Sequence, residues 1–111
     1  MTTTQLYYNY NFSIWFNDKD SQKQELKTEE IKKIIENLTA KMLGFWTVTY
    51  NHKWIWTYEN WKTGVEQSAI VNWKTDSMNS ELVDKFTSTL KKALNQESIL
   101  VACTRERVNF A

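Results

Sequence analysis

The chain has 111 residues, a net charge of +1 and a single cysteine, Cys103. This length predicts one domain over residues 1–111, with a single hydrophobic core. The near-neutral charge excludes the basic surface that long nucleic acids require. Because a lone cysteine forms no internal disulfide and no apolar run is long enough to span a membrane, we expect a cytoplasmic protein that contacts no membrane.

The first half of the chain predicts a strand, a loop and a helix. The even positions of residues 6–16 are all apolar, which is the period of a strand with one buried face. Residues 17–27 are charged and have no period, so they predict a loop. A helix is predicted over residues 28–43, because Thr28 precedes an acidic first turn and Gly44 follows an apolar stripe. That stripe consists of Ile31, Ile34, Ile35, Leu38 and Met42.

The second half predicts strands near residues 45–50, 54–59 and 65–73, a helix over residues 79–94 and a final strand over residues 98–110, whose first part, residues 98–104, joins the sheet. Asn79 or Ser80 can cap this helix, and Asn95 can end it.

The element order β, α, β, β, α, β is that of a ferredoxin-like sandwich, an α+β fold. In this fold two helices cover one face of an antiparallel sheet and leave the other face open. The open face is therefore where we expect function.

A hairpin register assigns the aromatic residues of the middle strands to a face. We predict a three-residue loop at residues 62–64 with Gly64 at positive φ, which pairs Ile55 with Val71 and Thr57 with Ala69. The side under the helices then gathers Ile55, Trp61, Val65, Ala69, Val71 and Trp73. The open face gathers large aromatic, amide and hydroxyl side chains of the same strands.

These open-face residues form the candidate ligand site. They are Trp54, Trp56, Tyr58, Asn60, Ser68 and Asn72, to which Lys53, Arg105 and Arg107 could add phosphate contacts. Aromatic rings beside uncharged hydrogen-bonding groups suit the stacking and edge recognition of a flat heteroaromatic ligand, so a small nucleotide-like ligand is the expected partner.

The same surface also suits two other uses. Trp and Tyr dominate protein–protein interfaces, so the face could dock a host protein or a second copy of the chain. An aromatic patch of this size favours a homo-oligomer, most simply a two-fold dimer that buries Trp54 and Trp56. The third possibility is that a loop or the final strand covers the patch within one chain.

Residues for catalysis and metal binding are sparse. His52 is the only histidine and lies far along the chain from Cys103, which gives no metal-ligand spacing. Glu59 and Glu66 fall on opposite faces in the predicted register and form no acid–base pair. We therefore expect no metal, no cofactor and no enzymatic activity.

Several motifs in the second half of the chain resemble a group of small bacterial and phage proteins of unknown function. The motifs are GFWTVTY at 44–50, Trp54, VEQSAIV at 65–71, LNQESILV at 94–101 and Phe110. The resemblance implies a ferredoxin-like domain encoded by a phage. Small phage proteins of this kind often inhibit host defence by binding.

Together these features predict a non-catalytic binding protein, a phage anti-defence factor that sequesters a nucleotide-like ligand in the host cytoplasm. The alternative is a phage inhibitor or accessory protein that docks a protein on the aromatic face.

Overall fold

The computed structural model describes residues 3–16, 26–43, 46–57, 63–96 and 98–110, and within these ranges it gives no side-chain account of Thr3, residues 51–57, residues 63–67 or Phe110. The elements are β1 (Thr3–Trp15), α1 (Thr28–Met42), β2 (Trp46–Thr57), β3 (Thr63–Thr75), α2 (Ser80–Leu94) and β4 (Leu100–Phe110). All strand pairs are antiparallel, in the order β2-β3-β1-β4.

Both helices pack on one face of the sheet. The core joins the even residues of β1 and the odd residues of β3 to apolar residues of α1 and α2, and Phe12 meets Phe86 edge to face with ring centroids 4.9 Å apart. Ile35 of α1 and Leu90 of α2 are fully buried in the same cluster. This arrangement and the strand order confirm the predicted ferredoxin-like α+β fold.

The ends of α2 have the asparagine caps expected from the sequence, whereas the N-cap of α1 is Lys27 and Thr28 is its first helical residue. The Asn79 side chain accepts a hydrogen bond from the Leu82 backbone N–H at 3.0 Å, which makes Asn79 the N-cap of α2. Asn95 ends that helix in the left-handed conformation, with φ 55°. At α1, the Glu30 carboxylate accepts from the Lys27 backbone N–H at 3.3 Å.

The middle strands differ from the prediction. The two segments predicted at 45–50 and 54–59 form one strand, β2, with a register shift between Thr49 and His52. Between the pairs Thr49 with Ile70 and His52 with Ser68, two residues of β2 oppose one of β3, so β2 contains a β-bulge. The extra residue reverses the alternation of the strand. Even residues of β2 therefore pair with helix-side residues of β3 before the bulge and with open-face residues after it.

The predicted hairpin register is wrong. Ile55 pairs with Val65, and Thr57 pairs with Thr63, so Gly64 lies within β3 and the described glycines include none at positive φ. Each of these β2 residues pairs with a β3 residue six positions earlier in the chain than predicted. Because six is even, the predicted faces survive, and Ala69, Val71 and Trp73 are buried under the helices. Trp61 lies outside the described residues.

The hairpin of β2 and β3 projects beyond the rest of the sheet. Pairing between β1 and β3 ends at Trp15 and Ser68, whereas the pairs between β2 and β3 continue to Thr57 and Thr63. Over the described residues this end is a two-stranded ribbon, which we name the β-ribbon (residues 53–57 and 63–67). The longest dimension of the molecule is 55 Å, whereas a helix of 15 residues spans only about 22 Å.

Candidate functional site

Polar side chains line the centre of the sheet face that no described helix covers. Successive residues of a strand point to opposite faces, so the strand register assigns the odd residues of β1 and the even residues of β3 and β4 to this open face. Its central polar residues are Asn9, Asn11, Ser13, Asn72, Lys74 and Glu106. They come from three adjacent strands and form a row across the face.

An ion pair marks one end of the row. The Lys74 ammonium lies 2.6 Å from Glu106 Oε2, with about a third of each side chain exposed (31% and 37%). Asn9, which is only 9% exposed, joins both groups, since its Nδ2 donates to Glu106 Oε1 at 2.9 Å and its Oδ1 accepts from Lys74 at 3.4 Å. Lys74, Asn9 and Glu106 thus tie β3, β1 and β4 together.

Two further amides extend the network. Asn72 Nδ2 donates to Asn9 Oδ1 at 2.5 Å and to Asn11 Oδ1 at 2.9 Å. Asn72 and Asn11 are direct partners in the ladder between β3 and β1, and both are half-buried. Asn72 is therefore held in place by two neighbours while part of its side chain remains accessible.

A second group lies toward the β-ribbon. Ser68 is fully buried and Ser13 is 8% exposed, although no described helix lies on this face. Trp15 pairs with Ser68 on one side and His52 pairs with it on the other. The face is therefore packed near Ser68 and more open near Asn72.

The predicted site residues do not form one cluster. Lys53, Trp54 and Trp56 pair with Gln67, Glu66 and Gly64 in the β-ribbon, and their side chains are outside the described part. Tyr58 and Asn60 lie outside the described residues altogether. Along β3, Glu66 and Asn72 are about 20 Å apart at the rise of a strand. Asn72 and the position of Trp54 thus occupy opposite ends of the face, with Ser68 between them.

The predicted phosphate-binding arginines lie on the other face. Arg105 pairs with Tyr8 and Arg107 pairs with Leu6, which places both on the helix side of β4, where they are exposed. The Arg105 guanidinium lies 5.8 Å from the centroid of the Tyr8 ring. Arg105 and Arg107 are therefore not adjacent to Ser68 and Asn72.

Five residues of the polar row were not among the predicted site residues. They are Asn9, Asn11, Ser13, Lys74 and Glu106. The sequence does carry a signal for the first three, because they occupy odd positions of a strand whose even positions are apolar. It carries none for Glu106, which lies between two arginines in an exposed final strand.

Tyr50 connects the β-bulge of β2 to helix α1. Its hydroxyl donates to Glu36 Oε1 at 2.8 Å, and the Lys32 ammonium lies 5.1 Å from the centroid of its ring. Burial raises the pKa of Tyr50 well above its usual value, and the hydrogen bond and negative charge of Glu36 raise it further. Tyr50 therefore remains a neutral hydrogen-bond donor at physiological pH.

The described residues contain no cluster of histidine, cysteine or carboxylate side chains that could hold a metal ion. None of the described helices combines the length and the apolar character needed to cross a membrane.

Comparison with known proteins gives a likeness in fold. No family model and no curated protein sequence matches the chain, so its resemblance to the group of small phage proteins stays a prediction. A phage SAM lyase in complex with S-methyl-5'-thioadenosine superposes with a TM-score of 0.61 at 13% sequence identity, over 95% of this chain and 89% of that chain. A phage SAM lyase in the apo state gives a TM-score of 0.58 at 13% identity, over 94% and 88%.

The comparison corrects one prediction. Both matched chains are lyases, so the expectation that a chain of this kind is not an enzyme is contradicted. That expectation rested on the absence of familiar catalytic motifs from the sequence. This chain shares its fold with a phage enzyme that binds an adenosine-based ligand.

Proposed function

We propose that this chain is a phage-encoded lyase that binds and cleaves an adenosine sulfonium compound of the S-adenosylmethionine class. The observation that carries the proposal is the match over 95% of the chain to a SAM lyase with a bound thioadenosine. The polar open face supports it, because a small nucleoside needs a few oriented hydrogen-bonding groups rather than a strongly charged surface.

The chemistry follows from the substrate class and the bound ligand of the matched SAM lyase, S-adenosylmethionine and S-methyl-5'-thioadenosine. S-methyl-5'-thioadenosine remains when S-adenosylmethionine loses the bond between its sulfur and the γ-carbon of the amino-acid chain. The electron pair of that bond goes to sulfur, which becomes a neutral thioether. The γ-carbon is taken by the carboxylate oxygen of the same amino acid, which closes a lactone, or the adjacent carbon loses a proton to a base, which leaves an alkene. Neither route consumes water or an oxidant.

The sequence-predicted site residues fit this ligand better than they fit a phosphorylated one. A sulfonium cation is attracted to the face of a tryptophan ring, so we assign Trp54 and Trp56, with Tyr58, to the sulfonium end of the ligand. Asn60, Ser68 and Asn72 would supply hydrogen bonds. S-adenosylmethionine has no phosphate, so the proposal requires no contact from Lys53, Arg105 or Arg107.

We also propose where and how the protein acts. Cleavage of S-adenosylmethionine in the cytoplasm of the phage's host would remove the methyl donor of host methyltransferases, which agrees with the anti-defence role expected from the sequence. The two-stranded β-ribbon supports self-association, because an isolated hairpin is only marginally stable in water.

The test is a turnover assay. The purified full-length chain is incubated with S-adenosylmethionine, and S-methyl-5'-thioadenosine is quantified by liquid chromatography and mass spectrometry against a sample without protein. We expect many equivalents of product per chain and a large loss of rate for Trp54→Ala. Met78→Ala, a change at a side chain that is 65% exposed and outside the sheet, is the matched control and should keep the wild-type rate. Binding without product, or no binding, would contradict a lyase.

A further inference from the structure

The ion pair at the end of the polar row determines how each amide of the row is turned. Lys74 can only donate hydrogen bonds and Glu106 can only accept them. Asn9 lies between the two charges, so its Oδ1 must face Lys74 and its Nδ2 must face Glu106, which are the contacts observed at 3.4 Å and 2.9 Å. The orientation of the Asn9 amide thus follows from electrostatics.

This polarity passes along the row to the accessible amides. Because Asn9 presents an acceptor, Asn72 must turn its Nδ2 toward it, and that nitrogen also donates to Asn11 Oδ1. The other end of each amide is then turned away from the network. These two hydrogen bonds use neither Asn72 Oδ1 nor Asn11 Nδ2. The half-buried pair of Asn11 and Asn72 presents one acceptor and one donor of fixed orientation side by side.

A donor beside an acceptor is the complement of an adenine edge. Adenine offers its 6-amino group as a donor next to a ring nitrogen as an acceptor, and asparagine amides recognise this pattern in other adenine complexes. A 6-oxopurine offers an acceptor in place of the amino group, so it would face Asn72 Oδ1 with like polarity. We propose that Asn11 and Asn72 read the adenine base, with Asn72 Oδ1 accepting from the amino group and Asn11 Nδ2 donating to the ring nitrogen.

Neighbouring residues provide a direction for the remainder of the ligand. Ile70 is half-buried two residues from Asn72 on the same face and offers an apolar surface beside the base. Ser13 and Trp15 follow Asn11 along β1 toward the packed end of the face, and the proposal assigns the ribose and the sulfur to that side. This inference rests on the proposed function and names the part of the ligand that this chain recognises.

The experiment compares two neutral ligands by calorimetric titration: S-methyl-5'-thioadenosine and its 6-oxo counterpart, S-methyl-5'-thioinosine. The wild-type chain should prefer the amino compound by about 10- to 100-fold, the usual discrimination of a two-point base contact. Asn11→Asp replaces the donor by an acceptor while keeping the oxygen that Asn72 needs, and it should lose affinity for the amino compound by a similar factor. Asn37→Asp adds the same charge at an exposed position of α1 and should behave as wild type.

The outcomes separate the two proposals. If the wild-type chain binds the amino compound and Asn11→Asp binds it equally well, the base-reading role is overturned while the proposed function stands. Equal affinity of the wild-type chain for both purines overturns the base-reading role as well. If the wild-type chain binds neither compound and does not cleave S-adenosylmethionine, both proposals fail together. Circular dichroism of Asn11→Asp confirms that a lost affinity does not come from unfolding.

Discussion

At the scale of single residues, the polar row shows how a charge pair can act without touching a ligand. Lys74 and Glu106 are part-exposed, and an ion pair of that kind contributes only about 0–1 kcal/mol to stability. Its larger effect is on Asn9, whose amide has one orientation compatible with both charges. Loss of both charges would free the amides to turn over.

We therefore predict that the double variant Lys74→Met with Glu106→Gln loses most of the preference for the amino purine over the oxo purine. Methionine cannot donate and the glutamine amide can rotate, so neither neighbour dictates the orientation of Asn9. Each single variant keeps one charged neighbour of Asn9 and should keep the preference for the amino purine. The two single variants are therefore the controls. Competition titration with the two purines measures the ratio. An unchanged ratio in the double variant would show that the amides are oriented by something else.

The raised pKa of Tyr50 predicts that the free energy of unfolding decreases at alkaline pH. Its folded-state pKa is raised above the unfolded value of 10.0, by burial and then by Glu36, so the unfolded chain releases its proton first as the pH rises. The contribution of Tyr50 is complete below pH 10 and is lost as the pH increases beyond it. Tyr10, whose pKa burial also raises, acts in the same direction. Melting temperatures between pH 8 and about pH 11 should therefore fall less steeply for Tyr50→Phe than for wild type. Identical slopes would contradict this assignment.

At the scale of secondary structure, the helix ends depend on nearby residues, whereas the β-bulge depends on pairing between strands. The helix caps are local, since Asn79 satisfies a backbone N–H only three residues away. The β-bulge of β2 has no such local signature, and it exchanges the faces of residues 52–57. Without it, His52 would not share the face of Ser68, its partner in β3.

Loss of the α2 cap should have a moderate and specific effect. We predict that Asn79→Ala lowers the free energy of unfolding by about 1 kcal/mol, because it leaves the Leu82 backbone N–H without its acceptor. Asn79→Asp keeps an oxygen at that place and should be near wild type. Ser80→Ala, one residue into the helix, is the positional control and should change stability by less than about 0.5 kcal/mol. Urea unfolding followed by circular dichroism gives these values, and equal effects of Asn79→Ala and Ser80→Ala would remove Asn79 as the cap.

At the scale of the whole molecule, the length of the strands exceeds that of the helices. The radius of gyration is 15.9 Å, against about 13 Å for a compact chain of this length. The β-ribbon carries Trp54 and Trp56 beyond the last pair of β1 with β3. A two-stranded ribbon with this sequence is better stabilised against a second surface than in water.

We accordingly predict that the chain forms a homo-oligomer through the β-ribbon, most simply a two-fold dimer. The double variant Trp54→Ser with Trp56→Ser should be a soluble, folded monomer, because the strand register assigns both positions to the face opposite the helices. Analytical ultracentrifugation at micromolar concentration measures the mass of each protein. The control is Leu100→Ser, which changes an apolar side chain that is 51% exposed in another strand of the sheet. A wild-type monomer would exclude self-association.

The sequence by itself determined the element order, the helix ends and the buried faces, because each depends on residues within a few positions of one another. The odd residues of β1 were expected on the open face for this reason, and the structure places them there. The caps at Asn79 and Asn95 were predictable in the same way. The spacing of apolar residues over a short segment indicates which side of a strand or helix is buried.

Only the tertiary structure decided which polar residues meet on the open face. Asn9 contacts Asn72 and Glu106 across 63 and 97 residues of chain. Those contacts depend on strand order and on the register of two ladders, and register changes by an even number of residues leave the hydrophobic pattern intact. The predicted hairpin register failed in this way, since a shift of six residues kept every face and changed every partner. The register of each strand depends on the total energy of all pairings in the sheet. No local pattern in the sequence specifies that total.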